Sequence, residues 1–471
     1  MKTVSKVYIN GQFLTPHGKE VFELFNPSNN KKIGEVTLAD EIDAKMAITS
    51  AKEAFRTFSR STVEERIDYL TKLKIAVEKR QQDFIDTMIQ EYGGTYQFVT
   101  MSNKYMGAWF DSMIEVLKNY EFEKMINSST VKLQPVGVVG IITPWNASNS
   151  SVCSKVATAI AAGCTVVIKP SEMSALQTQV LMEAFHDAGL PKGIINFVTG
   201  FGNVVGVELT ANPDVSKISF TGSTAVGKSI AKTAADTMKR VTLELGGKSP
   251  NIILDDADLE RAIPIAVYGA YMNSAQACIA PTRLLVPESK LAEVNAIAGS
   301  TAKKMVVGLP QNERTDIGPM VSIKQFDKVQ SYIRIGLEEG ATLLAGGEGK
   351  PEGLEDGNFV KATIFTNVNN KMRIAQEEIF GPVLSIIPYK TEEEAIEIAN
   401  DSPYGLAAYI SSSDQDRAMT VASQIDAGRV CINGFSHDPM VPFGGFKQSG
   451  IGREYGAYGL EAYLEPKAIL R

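Results

Sequence analysis

The chain has 471 residues, of which 44% are hydrophobic and 21% are charged, and its formal net charge at pH 7 is −7. This composition is typical of a globular protein, and the length allows two or three domains. The acidic balance argues against nucleic acid as a partner, because a nucleic-acid-binding surface needs a basic patch.

The apolar segments of the chain are short. The longest of them, such as VGVVGII at residues 136–142, fall far below the length that a membrane-spanning helix needs. The first residues, MKTVSKVYINGQFLTP, contain no apolar core of a signal peptide. We therefore predict a cytoplasmic protein with no membrane partner.

The cysteines and histidines are scattered along the chain. The cysteines are Cys153, Cys164, Cys278 and Cys431, and no two of them form a C-x-x-C pair. The histidines likewise show no metal-binding spacing. This pattern excludes a zinc ribbon and argues against a disulfide framework. We expect no protein-bound metal, and chemistry carried by thiol, carboxylate and amide groups with an organic cofactor.

Strands alternate with helices between residues 136 and 254. The apolar runs VGVVGIIT, TVVIKP, GIINFVTG and VSKISFTG predict buried strands, and helical segments separate them, the first ending at Gly163. Such alternation predicts parallel βαβ units in a doubly wound sheet. A second alternating set follows a crossover at 245–255. The predicted fold class is therefore α/β, with two doubly wound α/β domains.

Two extended segments fit neither sheet. They are residues 129–136 and LEAYLEPKAIL at residues 460–470. Each predicts an exposed strand that needs a partner. That partner could come from another copy of the chain or from the same chain, and both alternatives stay open.

Polar motifs follow the ends of four predicted strands, which is where open parallel sheets bind ligands. Asn146 in TPWN follows the first strand, and Lys169 and Glu172 in IKPSE follow the second. The turn TGSTAVG opens a helix and suits a phosphate group at the helix N-terminus. Glu244 ends the strand VTLE.

Each of these residues also has a purely structural interpretation. Asn146 could cap the helix that begins near Ser148. Glu244 could be a surface carboxylate, and Lys169 with Glu172 could form an exposed ion pair of little energetic value. The sequence NSAQACIAPTRLLV places Cys278 among small residues, which suits a packed thiol as well as a nucleophile.

Taken together, the motifs resemble those of the NAD(P)-dependent aldehyde dehydrogenase superfamily, in the same order and over nearly the whole chain. They are ITPWN, KPSE, FTGSTAVG, LELGGKSP, QAC, EEIFGPV (377–383) and PFGGFKQSGIGRE (442–454). The resemblance implies oxidation of an aldehyde to a carboxylic acid by the hydrolytic, non-CoA-acylating route. It implies NAD as the cofactor, with NADP possible.

The resemblance also implies the catalytic residues. Cys278 would attack the aldehyde as a thiolate and form a thiohemiacetal, then a thioester. Asn146 and the backbone N–H of Cys278 would hold the oxyanion, and Glu244 would activate the water that hydrolyses the thioester. Glu244 argues against a CoA-acylating relative, and the three residues together argue against a non-catalytic dinucleotide-binding scaffold.

The cofactor residues that the resemblance implies come from both halves of the chain. Lys169 and Glu172 would bind the adenosine ribose, and the Glu172 carboxylate would repel a 2′-phosphate and so favour NAD. Gly222 and Ser223 would meet the pyrophosphate. The other cofactor residues are Trp145, Glu378 and Phe380, of which the last two would hold the nicotinamide ribose and ring.

The resemblance divides the chain into three parts. Residues 1–118 and 136–244 would form a Rossmann-like NAD-binding domain, and residues 245–454 a catalytic thiol domain. Residues 119–135 and 455–471 would form a small β oligomerisation arm. It also implies a homodimer or a homotetramer, between which the sequence does not choose.

Three features depart from the family pattern or add to it. Ala275 stands where the family usually has glycine, and a positive φ there would strain an alanine. In PWNASNSS, residues 147–151 are small or polar where common relatives have bulky apolar residues, and GFSHDPMV at 434–441 adds the loop residue His437. We predict a wider or more polar substrate tunnel that favours polar or hydroxylated aldehydes, unless these residues face away from the substrate. Neither stretch contains an arginine, which argues against a dicarboxylic semialdehyde.

Overall fold

The computed structural model describes residues 2–470, so the first and last residues of the predicted domain ranges lie outside it. Two large sheets with helices packed on both faces and three smaller sheets make up the molecule.

The strands are numbered in chain order. They are β1 (Lys2–Val4), β2 (Val7–Ile9), β3 (Gln12–Leu14), β4 (Val21–Asn26), β5 (Lys31–Thr37), β6 (Glu123–Ile126), β7 (Ser129–Pro135), β8 (Val138–Ile142), β9 (Thr165–Lys169), β10 (Ile195–Phe197), β11 (Lys217–Thr221), β12 (Arg240–Glu244), β13 (Pro250–Ile253), β14 (Arg283–Pro287), β15 (Thr342–Ala345), β16 (Thr363–Thr366), β17 (Val383–Tyr389), β18 (Tyr404–Gly405), β19 (Ala407–Ser411), β20 (Arg429–Ile432), β21 (Phe446–Lys447), β22 (Gly450–Ile451) and β23 (Leu464–Ile469).

The α-helices are numbered in the same way. They are α1 (Glu41–Phe58), α2 (Val63–Glu78), α3 (Gln81–Thr87), α4 (Tyr96–Asn119), α5 (Ser148–Ala162), α6 (Ala175–Asp187), α7 (Val207–Ala211), α8 (Thr224–Ala235), α9 (Leu259–Tyr271), α10 (Leu291–Lys304), α11 (Ile323–Glu338), α12 (Arg373–Gln376), α13 (Glu392–Asn400), α14 (Gln415–Ala422) and α15 (Gly456–Glu461). Within residues 2–470, none of the helices has the length and apolar character needed to cross a membrane.

The first large sheet has the strand order β22-β12-β11-β8-β9-β10-β2-β3. The five strands from β12 to β10 run parallel, and the outer strands β22, β2 and β3 add antiparallel edges. This confirms the doubly wound parallel sheet predicted from the alternating strands and helices. The helix that was expected to end at Gly163 is α5, and Gly163 caps it with a φ of 84°.

Strand β8 shows why the sheet is covered on both faces. Successive side chains of a strand point to opposite faces. Val139 and Ile141 join the core formed with α2, α4, α5 and α6, whereas Val138 and Ile142 join the core formed with α1, α7 and α8. A continuous apolar strand is therefore stable only with helices on either side, which is the arrangement typical of parallel sheets.

The second large sheet has the order β15-β16-β17-β14-β13-β19-β20, and every pair except β15–β16 is parallel. It too has a core on each face, one with α9 and α10 and the other with α11, α13 and α14. The chain passes from the first sheet to the second through residues 245–249. This link is shorter than the predicted crossover at 245–255, because β13 begins inside that range.

The two extended segments pair with each other. In the small sheet β23-β7-β6, β7 and β23 are antiparallel, with Pro135 opposite Leu464 and Thr130 opposite Ile469. The partner of each segment therefore lies in the same chain, which is the second of the two alternatives. The outer edges of β6 and β23 have no partner strand among the described residues.

The loop before Cys278 contains three consecutive residues in the left-handed region. Asn273, Ser274 and Ala275 have φ values of 55°, 54° and 56°. Tertiary hydrogen bonds hold this loop, because Tyr92 Oη donates to Asn273 Oδ1 at 2.6 Å and the Gly318 N–H donates to Ser274 Oγ at 2.9 Å. Ala275 therefore carries the strain that a positive φ was expected to cause, about 1–2 kcal/mol for an L-residue with a Cβ.

We predict that Ala275→Gly raises the free energy of unfolding by about 1 kcal/mol, because glycine adopts a positive φ without a steric penalty. The change is measured as a shift of the urea unfolding midpoint. Ala280→Gly, in the same loop but without a positive φ, is the matched control and should lower stability. A lower midpoint for Ala275→Gly would contradict the assignment of strain.

Candidate active site

The register of the first sheet brings the strand-end motifs to one edge. Thr221 of β11 pairs with Glu244 of β12, and Ile142 of β8 pairs with Lys169 of β9. Phe220, the residue before Thr221, pairs with the same Ile142. The turns that follow these strands therefore start side by side at the carboxyl edge of the sheet, where ligands of open α/β sheets bind.

A cavity of about 270 Å³ lies at this edge, and Asn146, Glu244 and Cys278 all line it. Much of its remaining wall is aromatic. The Phe, Tyr and Trp residues of the wall are Phe98, Tyr105, Trp109, Tyr409, Phe435, Phe443 and Tyr455. Its volume is slightly below that of common ligand pockets, which suits a small organic substrate.

Cys278 is partly exposed on the cavity. Burial, together with the carboxyl groups of Glu378 and Glu244, raises the pKa of this thiol to about 12, and the positive charge of Arg429 lowers it in part. The thiol therefore keeps its proton at neutral pH in this environment. Attack by Cys278 as a thiolate, which the resemblance implies, therefore needs a base that removes this proton.

Asn146 faces the nucleophile loop. Its Nδ2 donates to the carbonyl oxygen of Gln276 at 2.8 Å. Helix α5 is capped by Ala147, and no side chain supplies the cap, so the interpretation of Asn146 as a helix cap is wrong. An amide has two N–H donors, so one remains for a ligand. Among residues 2–470, no acceptor is assigned to the backbone N–H of Cys278 either.

Glu244 is buried, with 2% of its surface exposed, so the interpretation as a surface carboxylate is wrong. Neither carboxyl oxygen has a hydrogen-bond partner among residues 2–470. Burial and then the neighbouring Glu454 raise the pKa of Glu244 well above its ordinary value, whereas Lys155 and Arg453 lower it. Glu454 itself forms a buried ion pair with Lys155. Burial therefore favours the protonated form of Glu244, and once deprotonated it is a stronger base than an ordinary carboxylate.

Gly246 and Gly247 allow the two halves of the site to meet. A Cβ on Gly247 would lie 2.3 Å from the carbonyl oxygen of Cys278, and one on Gly246 would lie 2.6 Å from Glu378 Oε2. The N–H of Gly247 donates to Glu378 Oε1 at 3.1 Å. Any side chain at these positions would push the nucleophile loop and Glu378 away from the end of β12.

Lys169 and Glu172 form an ion pair of 3.1 Å. Lys169 is buried, and this burial lowers its pKa in spite of the opposing effect of Glu172. The pair is therefore more than an exposed surface contact. Farther along the chain, Ser223 caps α8 and accepts from the N–H of Val226 at 3.4 Å. Ser223 is exposed and Gly222 is partly exposed, so the start of α8 is accessible to solvent.

The residues that were predicted at the nicotinamide end also come together. The rings of Trp145 and Phe380 make an edge-to-face contact with centroids 5.5 Å apart. Burial raises the pKa of Glu378, and the Gly247 N–H opposes this effect. These contacts join the turn after β8 to the segment before β17.

The polar stretch after Asn146 reaches the cavity in part. Ala147, Ser150 and Ser151 line it, whereas Ser148 and Asn149 are buried elsewhere. The interpretation that the whole stretch faces away from the cavity is therefore wrong.

Three residues of the site were missed by sequence reasoning. Glu454 is the last residue of the motif PFGGFKQSGIGRE but carries no local signal of its own, and Arg429 and Trp109 lie outside every motif. His437, which the sequence predicts as a loop residue, lies in a loop and also lines the cavity. Its ring Nδ1 is 3.0 Å from Arg429 Nη1.

The other thiols lie apart from this chemistry. Cys153, Cys164 and Cys431 are buried and do not line the cavity, as expected of packed thiols. Across residues 2–470, the structure contains no group of three or more His, Cys, Asp or Glu side chains placed to hold a metal ion.

Comparison with known proteins identifies the family. The model of the Aldehyde dehydrogenase family matches residues 13–469. A 3-succinoylsemialdehyde-pyridine dehydrogenase from a Pseudomonas species is 44% identical, over 100% of this chain and 99% of its own. A putative aldehyde dehydrogenase of Staphylococcus haemolyticus is 43% identical over the same shares.

Solved structures agree with this. A mutant of aldehyde dehydrogenase C from Pseudomonas syringae, in complex with NAD+ and octanal, has a TM-score of 0.98 and 42% identity, covering 99% of this chain and 96% of its own. Betaine aldehyde dehydrogenase from Staphylococcus aureus, in complex with NAD+, has a TM-score of 0.95 and 36% identity, covering 99% and 94%. The chain therefore belongs to the aldehyde dehydrogenase family.

Proposed function

We propose that this enzyme oxidises an aldehyde to a carboxylic acid with NAD as hydride acceptor, and that Cys278, Asn146 and Glu244 carry the reaction. The observation that supports these residues is their position on one cavity of about 270 Å³. The cofactor is supported by relatives of known structure that hold NAD+.

The first step is attack of Cys278 Sγ on the aldehyde carbon. A sulfur–carbon bond forms, and the electron pair of the carbonyl double bond moves to oxygen. Because the pKa of Cys278 is raised to about 12, the thiol loses its proton as it attacks. Glu244, after releasing its own proton to solvent, accepts that proton, since its raised pKa makes the carboxylate a stronger base than an ordinary one.

The resulting oxyanion is held by two donors, the second N–H of Asn146 and the backbone N–H of Cys278. Loss of one such donor costs about 2.7–4 kcal/mol of transition-state stabilisation. When the oxyanion restores its carbonyl bond, the carbon releases a hydride. Bound NAD supplies the acceptor for this hydride, and Cys278 is left as a thioester.

Hydrolysis of the thioester uses the same carboxylate. Glu244 releases its first proton to solvent and then takes a proton from water as the water oxygen bonds to the thioester carbon. The carbon–sulfur bond breaks, the acid leaves, and the sulfur takes up a proton. A buried carboxylate at this position favours water over CoA as acyl acceptor, since a thiol acceptor needs no such base.

The residues at the sheet edge fit NAD. The open N-terminus of α8, with Gly222 and Ser223, suits the pyrophosphate. Lys169 and Glu172 would bind the adenosine ribose, and Glu378 would accept from the nicotinamide ribose. Trp145 and Phe380 would position the nicotinamide ring, because their rings contact each other at the turn that also carries Asn146.

The exposed apolar side chains of α7 and α8 add a surface that the sequence did not indicate. Val207 is 54% exposed and Val226 is 48% exposed, on two helices that touch each other. Exposed valines next to an anion-binding helix end suit the flat apolar face of an adenine.

The arrangement of the chain supports three further proposals, which concern its domains, its assembly and its location in the cell. The first sheet without its edge strand β22, together with its helices, forms the NAD-binding domain, residues 1–118 and 136–244. The second sheet forms the catalytic domain, residues 245–454, which also supplies β22 to the first sheet. The arm of 119–135 and 455–471 joins copies of the enzyme through the free edges of β6 and β23, as a homodimer or a homotetramer. We place the enzyme in the cytoplasm.

We predict that Cys278→Ala abolishes NADH formation from any aldehyde, because no other described thiol lines the cavity. NADH absorbance measures this. Cys153→Ala, which removes a buried thiol of α5, is the control and should stay active. Activity that survives in Cys278→Ala would show that another residue is the nucleophile.

Glu244→Gln should lower the steady-state rate about 10²–10⁴-fold, as expected on removal of a general base. In the wild type, Glu244 acts as a base only when it is deprotonated, and its pKa is raised. We therefore expect kcat to fall as the pH drops through this raised pKa and to recover at higher pH. Rapid-quench and pH-rate measurements test both points. An unchanged pH profile in Glu244→Gln would assign the base elsewhere.

Glu172→Gln should raise the ratio of kcat/KM for NADP over that for NAD by at least about tenfold, because it removes a carboxylate that repels the 2′-phosphate. Parallel assays with the two cofactors measure this ratio. Glu183→Gln, in α6 and away from the sheet edge, is the matched control. If the wild type, Glu172→Gln and Glu183→Gln all show the same ratio, the 2′-phosphate of NADP does not bind near Glu172.

A further inference from the structure

The cavity contains an arginine that the reaction does not use. Arg429 is the first residue of β20 and lines the cavity together with Cys278 and Tyr409. It is half-buried. Its charge lowers the pKa of the Cys278 thiol in part, so the guanidinium lies within electrostatic range of the reacting sulfur.

Arg429 has no counterion among residues 2–470, since none of the described salt bridges involves it. Neither of the two carboxyl groups that line the cavity compensates the charge of Arg429. Glu454 is paired with Lys155, and burial favours the neutral form of Glu244. The cavity wall therefore carries one uncompensated positive charge.

The hydrogen bonds of Arg429 are also incomplete. A guanidinium has five N–H donors. Among the described residues, Nη1 lies 3.0 Å from the ring Nδ1 of His437, and the side chain of Tyr409 also hydrogen-bonds to the guanidinium. Nε is buried and has no partner. Burial and the charge of Arg429 lower the pKa of His437 to about 4, so the imidazole is neutral at pH 7 and its Nδ1 acts as acceptor.

Aromatic rings hold this pair in place. The guanidinium carbon of Arg429 lies 5.6 Å from the ring centre of Phe443, a cation–π distance. The rings of Tyr105 and Trp109 pack on His437 with centroids 4.9 Å and 5.4 Å apart. The cation is therefore positioned before a ligand arrives, which reduces the entropy lost on binding.

We propose that Arg429 binds a carboxylate at the far end of the substrate, so that the enzyme prefers an aldehyde that also carries an acid group. A carboxylate supplies both the missing counterion and the missing acceptors, and arginine pairs with it through charge-assisted hydrogen bonds. The absence of arginine from residues 147–151 and 434–441 does not bear on this, because the cation comes from β20. The inference rests on the proposed function and specifies its substrate.

The test compares ω-oxo acids of four, five and six carbons with their methyl esters, which keep the shape and lose the charge. The ratio of kcat/KM for acid over ester is measured in wild type, Arg429→Met and Arg429→Lys. Arg334→Met removes an exposed arginine that pairs with Glu348 and controls for overall charge. Calorimetry on Cys278→Ala, with and without Arg429→Met, measures binding of the corresponding dicarboxylates without turnover.

We expect a wild-type ratio above about ten for at least one chain length, since hydrogen bonds to charged groups are the strong ones. Arg429→Met should lower that ratio at least tenfold, Arg429→Lys should lower it less, and Arg334→Met should leave it unchanged. A wild-type ratio near one at every length, or one that persists in Arg429→Met, would overturn the proposal.

The two proposals fail in different ways. If no aldehyde is turned over, the proposed function fails, yet dicarboxylate binding that is lost in Arg429→Met still supports the anion site. If aldehydes are oxidised and dicarboxylates bind equally with and without Arg429, the oxidation stands and the anion site is wrong.

Discussion

The site depends on how closely the backbone at Gly246 and Gly247 approaches its neighbours. These glycines follow the last residue of β12, and a Cβ on either would collide with the carbonyl oxygen of Cys278 or with the carboxyl group of Glu378. Their lack of side chains lets the nucleophile loop of one sheet reach the carboxyl edge of the other. The hydrogen bond from the Gly247 N–H to Glu378 follows from this packing.

The same close packing controls the chemistry of the charged groups. Exclusion of water raises the pKa values of Cys278, Glu244 and Glu378, because burial disfavours the negatively charged form of each group. Burial therefore favours a resting arrangement in which both the thiol of Cys278 and the carboxyl group of Glu244 hold their protons. The positive charge of Arg429 offsets part of this effect on Cys278. Proton transfer therefore accompanies the attack on the substrate.

Helix α4 connects the scaffold to substrate recognition. It packs on α2 and α5 beside the first sheet, and it also brings Tyr105 and Trp109 to the cavity wall. Trp109 Nε1 donates to Ser150 Oγ at 2.9 Å, which ties the wall to the polar stretch after Asn146. The cavity thus combines an aromatic wall with a few polar groups, the usual composition of a specific small-molecule site.

The sequence by itself determined the features that depend on neighbouring residues. The apolar run of β8, the stop at Gly163 and the polar residues just after each strand are local patterns, so the parallel sheet and the edge with Asn146 and Glu244 could be read from them. The tertiary structure alone decided what depends on distance through space. Residues 130–135 pair with 464–469, Glu454 lies beside Glu244, and Arg429 lines the cavity without a counterion among the described residues. The burial and the electrostatic environment of a site depend on residues that are far apart in the chain, so a local sequence pattern cannot predict them.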